Sequence, residues 1–182
     1  MDHTKIQNVK LKDLEFEPYL THDEIQDIVR QVAYKINEDY AGKEPLFLAV
    51  LNGVFMFSSD LMKELCLNCR ISFVKVSSYE GTQSTGMVKE LIGIGEDLKG
   101  KDVILLEDIV DTGNTMAQIL PGLLEKEPAS LEIATLLLKP AALQHDLDLK
   151  YVGKEIPNDF IAGYGLDYDG LGRNLRAIYK KV

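Results

Sequence analysis

The sequence predicts an α/β protein built on a twisted, mainly parallel β-sheet flanked by helices. The first indication is a set of continuous apolar runs of strand length, at 46–51, 103–106 and 131–138. Such runs are typical of parallel strands that are covered on both faces. The second indication is that segments of helical periodicity separate these runs, as in units that join parallel strands through a helix.

Length and charge limit the organisation of the chain. Its 182 residues favour one domain, which we expect to divide into a core of about 21–139 and a small hood of about 1–20 and 140–182. The net charge of −9 argues against broad, sequence-independent binding of nucleic acid. No apolar run approaches the ~18 residues of a membrane span, and the N-terminal stretch M-D-H-T-K-I-Q-N-V-K lacks the apolar region of a signal peptide. We therefore expect a cytoplasmic protein with no membrane partner.

The first elements follow from capping and turn signals. Residues 21–24 form a capping-box pattern, with Thr first and Glu three positions later, and apolar residues then recur at helical spacing to about Tyr40. The strand at 46–51 follows Pro45. The sequence Asn-Gly at 52–53 breaks this strand, and 54–67 has the pattern of the next helix.

The middle of the chain predicts a long hairpin and a second strand-to-helix unit. Residues 70–79 alternate between apolar and polar, as a half-exposed strand does. The segment 80–86 has almost nothing to bury, which predicts a mobile loop before a returning strand at 88–92. Helical periodicity at 115–126 includes Pro121, so we expect a kink or an early break there.

The stretch 103–115, V-I-L-L-E-D-I-V-D-T-G-N-T, indicates the chemistry. We expect the strand to end at Leu106, which would place Glu107 and Asp108 at its carboxyl end, where open α/β sheets bind ligands. The glycine and hydroxyl residues of 111–115 suit a tight loop that binds a phosphate at a helix N-terminus. The loop has no lysine and adjoins three carboxylates, which fit a sugar diol and a divalent cation. This pattern predicts a ribose 5-phosphate site.

Three other interpretations of this stretch remain open. A D-T-G tripeptide occurs in aspartic proteases, but these need two copies, and the chain has one. Phosphotransferases with an aspartyl nucleophile place Gly-Thr soon after an Asp, at a spacing that differs from 107–115. An ordinary strand-to-helix turn, with Asp and Asn as caps, is the third.

The pattern of four apolar residues, two acids, two apolar residues and D-T-G-x-T resembles the phosphoribosyl-diphosphate signature of the type I phosphoribosyltransferases. The resemblance implies the fold of that family, with Mg²⁺ as cofactor, and a site in which Glu107 and Asp108 hold the ribose hydroxyls. The loop that wraps the 5-phosphate consists of Asp111, Thr112, Gly113, Asn114 and Thr115. Asp111 is also the candidate catalytic residue, a general base that takes a proton from the purine.

The strand at 131–138 ends in L-L-L-K, and Lys139 then lies at the same sheet edge as the acidic loop. A surface lysine is the alternative explanation. In the oxopurine branch of the family, the matching lysine donates a hydrogen bond to the 6-oxo group of the base. Lys139 therefore favours hypoxanthine or guanine over adenine.

The tail resembles the same branch through V-G-x-E-I-P and F-I-A-G-Y-G-L-D-Y. By this match, Phe160 stacks on the purine, Ile161 presents its backbone to the purine edge, and Arg173 contacts pyrophosphate. Asp167 contributes to the purine site and, with the two acids of the strand, to the metal site. From pattern alone, Phe160 and Ile161 could equally be core residues of a strand.

Two further segments match functional parts of the family. The turn Leu51-Asn52-Gly53 corresponds to a turn that binds pyrophosphate through its backbone, with a cis peptide before the residue matching Asn52. Many members carry a basic residue where Asn52 stands. Ser78 and Tyr79 match the catalytic lid, which would shield an oxocarbenium-like sugar from water.

The resemblance implies a purine salvage enzyme. It would transfer the 5-phosphoribosyl group of phosphoribosyl diphosphate to a 6-oxopurine, hypoxanthine or guanine, and give IMP or GMP and pyrophosphate. One alternative is a nucleotide-sensing regulator that keeps this fold and binds nucleic acid. Another is a phosphoribosyltransferase for a different base, such as xanthine. A homodimer or homotetramer is expected, since soluble enzymes are commonly symmetric oligomers.

Overall fold

The computed structural model of the chain describes residues 7–76, 91–92 and 95–182. In chain order its elements are β1 (Val9–Leu11), β2 (Leu14–Leu20), α1 (His22–Asp39), β3 (Leu46–Leu51), α2 (Phe55–Glu64), β4 (Arg70–Val76), β5 (Leu91–Ile92), β6 (Asp102–Val110), α3 (Asn114–Leu124), β7 (Ser130–Leu138), a 3₁₀ turn (Pro140–Ala142), β8 (Tyr151–Glu155), β9 (Ile161–Ala162) and β10 (Ile178–Lys181). Among the described helices, none combines the length and the apolar character needed to cross a lipid bilayer.

The larger sheet has six strands in the order β5-β4-β3-β6-β7-β8. Its neighbours pair in parallel, except that β5 is antiparallel to β4. The predicted α/β fold with a mainly parallel sheet is therefore confirmed. The described end of the predicted hairpin is also present, because Leu91 and Ile92 pair with Val76 and Lys75.

Side chains that alternate along β3 separate the core into two layers. Leu46, Leu48 and Val50 pack in the cluster that contains α3, whereas Phe47 and Ala49 pack in the cluster that contains α1 and α2. Because successive side chains of a strand point to opposite faces, a continuous apolar run is what a sheet covered on both faces requires. Each fully buried leucine or phenylalanine contributes roughly 1.5–3 kcal/mol of transfer free energy.

The start of α1 agrees with the predicted capping box, whereas α3 does not break at Pro121 as predicted. The capping box of α1 is present, since the Glu24 amide donates to Thr21 Oγ1 and the Thr21 amide donates to the Glu24 carboxylate. Helix α3 continues through Pro121 to Leu124, so the expected early break is wrong. Pro121 lies in the last turns of α3, where only a few helical residues follow it. Helix α2 ends at Glu64, three residues before the predicted end.

A second, antiparallel sheet in the order β1-β2-β10-β9 joins the N-terminal segment to the tail. Phe16 lies at the centre of its small core, against Ala162, Ala177 and Tyr179. This sheet combines strands from the two segments that the prediction assigns to the hood. The division into a core of about 21–139 and a hood of about 1–20 and 140–182 stays a prediction, but β8 pairs with β7 in the larger sheet although it lies in the range assigned to the hood.

Candidate functional site

The acidic pair lies inside β6, not after it. Pairing between β3 and β6 ends at Ala49 and Leu106, whereas pairing between β6 and β7 continues to Val110 and Leu138. The expectation that the strand ends at Leu106 is therefore wrong, because β7 pairs with three further residues of β6, Glu107, Ile109 and Val110. The one-sided extension opens the sheet on the β3 side beside the two acids.

Asp108 is a buried residue, and Glu107 is half-buried with one buried carboxyl oxygen. Asp108 is 9% exposed, and its Oδ1 accepts a hydrogen bond from the Ile109 amide at 2.9 Å. Burial raises the pKa of Asp108 to about 6, against the opposing effect of that amide. Burial, and then the charge of Asp108, raise the pKa of Glu107 well above its usual range. Within the described part of the chain, the buried Glu107 Oε2 atom has no hydrogen-bond partner.

The loop after β6 forms an open pocket lined by Glu107 and by every residue from Ile109 to Met116. Gly113 precedes α3 in the left-handed region, with φ of 81°, which glycine adopts without steric cost. The first turn of α3 carries no acidic residue. The Asn114 amide makes a long hydrogen bond of 3.4 Å to Thr112 Oγ1, and the partial positive charge of this helix N-terminus favours an anion. The arrangement suits a phosphate group, as the sequence predicts for 111–115.

Residues 144–147 contact this loop, and the sequence analysis did not predict these contacts. The Gln144 amide donates to the Thr112 carbonyl at 3.0 Å, and His145 Nε2 lies 2.7 Å from Asn114 Oδ1. A Cβ atom on Gly113 would meet Leu147 at 2.8 Å. The sequence gives no signal for these contacts, since His145 and Asn114 lie 31 positions apart.

Lys139 is buried and contacts a residue that lines the pocket. Its backbone amide donates to the Val110 carbonyl, and its Nζ lies 2.7 Å from Asp111 Oδ2. Lys139 is 6% exposed, whereas nearly half of the Asp111 side chain is accessible. A lysine is rarely buried to this extent unless it is paired, so the surface-lysine alternative is wrong. The candidate base-recognition residue and the candidate general base are thus in direct contact.

The tail contains the remaining predicted residues, of which Phe160 and Ile161 come first. Phe160 is 46% exposed, and its ring lies edge-on to Tyr168 at 5.8 Å and 6.1 Å from Phe16, measured between ring centroids. The next residue, Ile161, is buried in β9. A phenylalanine supported on one side and open on the other can stack on a flat ligand.

Arg173 and Asp167 form an ion pair within the tail. Arg173 Nη2 lies 2.6 Å from Asp167 Oδ1, and Nη1 donates to the Gly165 carbonyl at 2.7 Å. The positive charge of Arg173 also reaches Asp108, whose pKa it lowers in opposition to burial. The tail therefore supplies a cation next to the buried acids of β6.

The turn after β3 packs directly against this tail. The Leu51–Asn52 peptide is cis, as the resemblance implies. A Cβ atom on Gly165 would lie 3.0 Å from the carbonyl carbon of Gly53 and still closer to its oxygen. A Cβ atom on Gly53 would in turn lie 2.7 Å from Asp108 Cγ. Strand β6, the turn at 51–53 and the tail are therefore in contact.

The predicted metal ligands are not preassembled in the described residues. In the described ranges, no three carboxylate, imidazole or thiol side chains converge closely enough to hold a metal ion, so Glu107, Asp108 and Asp167 do not form a preassembled ligand set. Mg²⁺ commonly binds through one or two carboxylates together with substrate phosphates, and the unpartnered Glu107 oxygen fits that mode.

The predicted lid residues Ser78 and Tyr79, and the loop 80–86, lie outside the described residues.

Comparisons with known proteins agree with this geometry. A family model described as the phosphoribosyl transferase domain matches residues 17–169. The hypoxanthine-guanine phosphoribosyltransferase of Staphylococcus aureus is 44% identical over 160 residues, which cover 87% of this chain and 89% of that protein. The corresponding protein of Staphylococcus epidermidis is 44% identical over 157 residues, 86% of this chain and 88% of that one.

Solved structures show the same likeness. The crystal structure of a hypoxanthine phosphoribosyltransferase from Staphylococcus aureus aligns with a TM-score of 0.82 at 42% identity, over 91% of each chain. A hypoxanthine-guanine phosphoribosyltransferase from Bacillus anthracis aligns with a TM-score of 0.83 at 34% identity, over 95% of this chain and 99% of that one. The fold and the site thus define a phosphoribosyltransferase. This chain belongs to the phosphoribosyl transferase domain family, and the predicted resemblance is confirmed.

Proposed function

We propose that this protein is a hypoxanthine-guanine phosphoribosyltransferase of purine salvage. It transfers the 5-phosphoribosyl group of phosphoribosyl diphosphate to hypoxanthine or guanine and releases pyrophosphate. The observation that carries the proposal is the Lys139–Asp111 pair, which joins a buried donor to a carboxylate beside the phosphate pocket. Relatives named for this activity are 44% identical over most of the chain.

The pocket accommodates the sugar phosphate without a lysine. The amides and hydroxyls of 111–115 hold the 5-phosphate at the N-terminus of α3. Glu107 and Asp108 hold the ribose hydroxyls, and their negative charge stabilises the cationic sugar that develops as the leaving group departs. The geometry behind this assignment is the opening of the sheet on the β3 side of β6.

The purine lies between Phe160 and Lys139 in this proposal. The exposed face of Phe160 stacks on the base, and the Ile161 backbone contacts its edge. Lys139 has three N–H groups, so it can keep its bond to Asp111 and still donate to a 6-oxo group. A 6-amino group offers no acceptor at that position, which excludes adenine.

The transfer breaks the bond between the anomeric carbon and pyrophosphate and forms one to a ring nitrogen of the base, with inversion. Asp111 accepts the proton that this nitrogen loses. Arg173 and the backbone of Leu51, Asn52 and Gly53 hold the departing pyrophosphate. Mg²⁺, held by Glu107, Asp108 and Asp167 together with diphosphate oxygens, would supply the positive charge that makes pyrophosphate a workable leaving group.

We also propose a cytoplasmic location and a homodimer or homotetramer. The acidic composition and the absence of a long apolar run in the sequence support the first. The prevalence of symmetric oligomers among enzymes supports the second. Nucleic acid is not among the expected partners, which distinguishes the enzyme from a regulator of the same fold.

The test is a panel of radiolabelled bases incubated with phosphoribosyl diphosphate and Mg²⁺. We expect nucleotide formation with hypoxanthine and guanine but not with adenine or uracil, and the panel ranks xanthine against them. A Lys139→Gln variant should lose most of its discrimination for the 6-oxo group. Binding of nucleotide without turnover of any base would support the regulator instead.

The role of Asp111 has its own test. We expect Asp111→Asn to lower kcat by roughly 10²–10⁴-fold, the usual contribution of a positioned proton acceptor. Affinity for phosphoribosyl diphosphate, measured by calorimetry, should change little because asparagine keeps the shape of the loop. Full activity in this variant would remove Asp111 from the mechanism.

A further inference from the structure

A buried hydrogen bond joins helix α2 to the tail outside the site described above. The Tyr164 hydroxyl donates to Asp60 Oδ2 at 2.7 Å, and Tyr164 is 1% exposed. Gln26 of α1 donates to the same oxygen at 2.8 Å, and Lys63 pairs with Oδ1 at 2.8 Å. Burial opposes ionisation of Asp60, but these three donors outweigh it and lower the pKa of its carboxyl group.

Each partner of this bond is linked to one half of the proposed pyrophosphate site. Asp60 belongs to α2, which begins directly after the turn at 51–54. Tyr164 precedes Gly165, whose amide donates to the Arg173 carbonyl and whose carbonyl accepts from Arg173 Nη1. A change in the separation of Asp60 and Tyr164 is therefore transmitted to the separation of the turn and Arg173.

A second contact makes the attachment rigid. Gly165 lies against the Gly53 carbonyl, where a Cβ atom would approach the carbonyl carbon to 3.0 Å. Tyr164 itself has a φ of 49°, which an L-residue rarely adopts. Such a conformation persists only when its surroundings hold it, and the buried hydroxyl contact to Asp60 is one such constraint. Two contacts, one on α2 and one on the turn, fix the tail relative to both.

We propose that Asp60 and Tyr164 are positioning residues for the diphosphate of phosphoribosyl diphosphate. Their hydrogen bond sets the distance between the turn at 51–53 and Arg173, which together hold the leaving group. This inference rests on the proposed function. Small misplacements of binding groups have large effects on a reaction, so a bond remote from the substrate has a kinetic consequence.

The chain offers a matched control. Tyr151 is also 1% exposed, and its hydroxyl donates to Asp39 Oδ2 at 2.7 Å. This bond joins β8 to the end of α1 and lies outside the turn at 51–53 and the segment 160–173. Tyr151→Phe and Tyr164→Phe each remove one hydrogen bond from a buried tyrosine to an aspartate, and both should lower thermal stability.

The experiment compares wild type, Tyr164→Phe, Asp60→Asn and Tyr151→Phe. We expect Tyr164→Phe and Asp60→Asn to raise KM for phosphoribosyl diphosphate, and Kd for Mg-pyrophosphate, by about three- to tenfold, with KM for the base unchanged. The Tyr164→Phe/Asp60→Asn double variant should show less than the product of the two single effects, because the two changes share one interaction. Tyr151→Phe should bind both ligands as wild type does.

The outcomes separate this inference from the proposed function. Equal ligand binding by Tyr164→Phe and Tyr151→Phe, in an active enzyme, overturns the positioning role and leaves the function intact. A wild-type protein that binds phosphoribosyl diphosphate but turns over no base overturns the function, while weaker binding by Tyr164→Phe still supports positioning. If Tyr164→Phe does not fold, Asp60→Asn decides, since it keeps the side-chain shape. A wild type that binds neither ligand overturns both.

Discussion

Gly53 lies so close to Asp108 that a methyl group there must displace the carboxylate. A Cβ atom at this position would be 2.7 Å from Asp108 Cγ and 3.3 Å from Oδ1, and closest to Oδ2. Gly53 is not among the described residues with positive φ, so backbone strain adds nothing to the effect. Asp108 is buried and its Oδ1 is held by the Ile109 amide, which leaves the carboxylate little room to move.

We therefore expect Gly53→Ala to lower the free energy of unfolding by about 1–3 kcal/mol, the usual cost of overpacking. The substitution should cost less than about 0.5 kcal/mol in an Asp108→Ala background, because the clashing atoms are then absent. Gly95→Ala is the control, since a Cβ atom there meets nothing within 4 Å. Alanine at such an open position should change stability by no more than about 1 kcal/mol.

Urea unfolding of the four proteins of the cycle and of the control gives these energies directly. The active enzyme should also show a higher KM for phosphoribosyl diphosphate after Gly53→Ala, because the substitution displaces Asp108, which we propose to hold a ribose hydroxyl. An equal cost of Gly53→Ala with and without the Asp108 carboxylate would refute this reasoning, since the clash would then lie elsewhere.

Two further predictions concern pH and the phosphate loop. Because burial raises the pKa of Asp108 to about 6, above its unfolded value near 4, stability from this group is lost as pH rises between these values and stays lost above them. Asp108→Asn should therefore be more stable than wild type at pH 7.5 by up to about 3 kcal/mol and lose this advantage at pH 4; identical pH profiles in urea unfolding would contradict it. His145→Ala should weaken the binding of phosphoribosyl diphosphate, measured by calorimetry, about threefold because it releases Asn114. His145→Gln keeps a hydrogen-bond donor and should restore part of the affinity. Unchanged binding in the alanine variant would count against a role for this contact.

The sequence predicted the structure best where an element depends on residues that are close together in the chain. The apolar runs at 46–51 and 131–138 are strands because their side chains alone require cover on both faces. The end of β6 was mispredicted because it depends on how far β7 pairs with it, and no property of Glu107 or Asp108 encodes the length of another strand.

Long-range contacts had no sequence signal. The position of Lys139 after β7 was predictable, but its burial and its bond to Asp111 depend on packing across two strands. The Asp60–Tyr164 bond spans 104 positions. Tyr164 lies in the motif F-I-A-G-Y-G-L-D-Y, but nothing in that motif indicates a bond to Asp60. Candidate site residues can therefore be predicted from local patterns, whereas the long-range contacts that hold those residues in place cannot.

The site keeps the positive potential at the start of α3 apart from the two carboxyl groups of β6, which would otherwise neutralise it. The amide groups at the start of α3 provide positive potential without a formal charge, so a phosphate can bind without help from Lys139, which remains paired with Asp111. On the β3 side of β6, burial raises the pKa values of Glu107 and Asp108, and a cation or a diol that reaches these carboxyl groups stabilises their ionised forms. A ligand that carries phosphate, diol and metal together satisfies both regions at once, whereas inorganic phosphate satisfies only the first. The full substrate should therefore stabilise the fold far more than phosphate does at equal saturation of the loop.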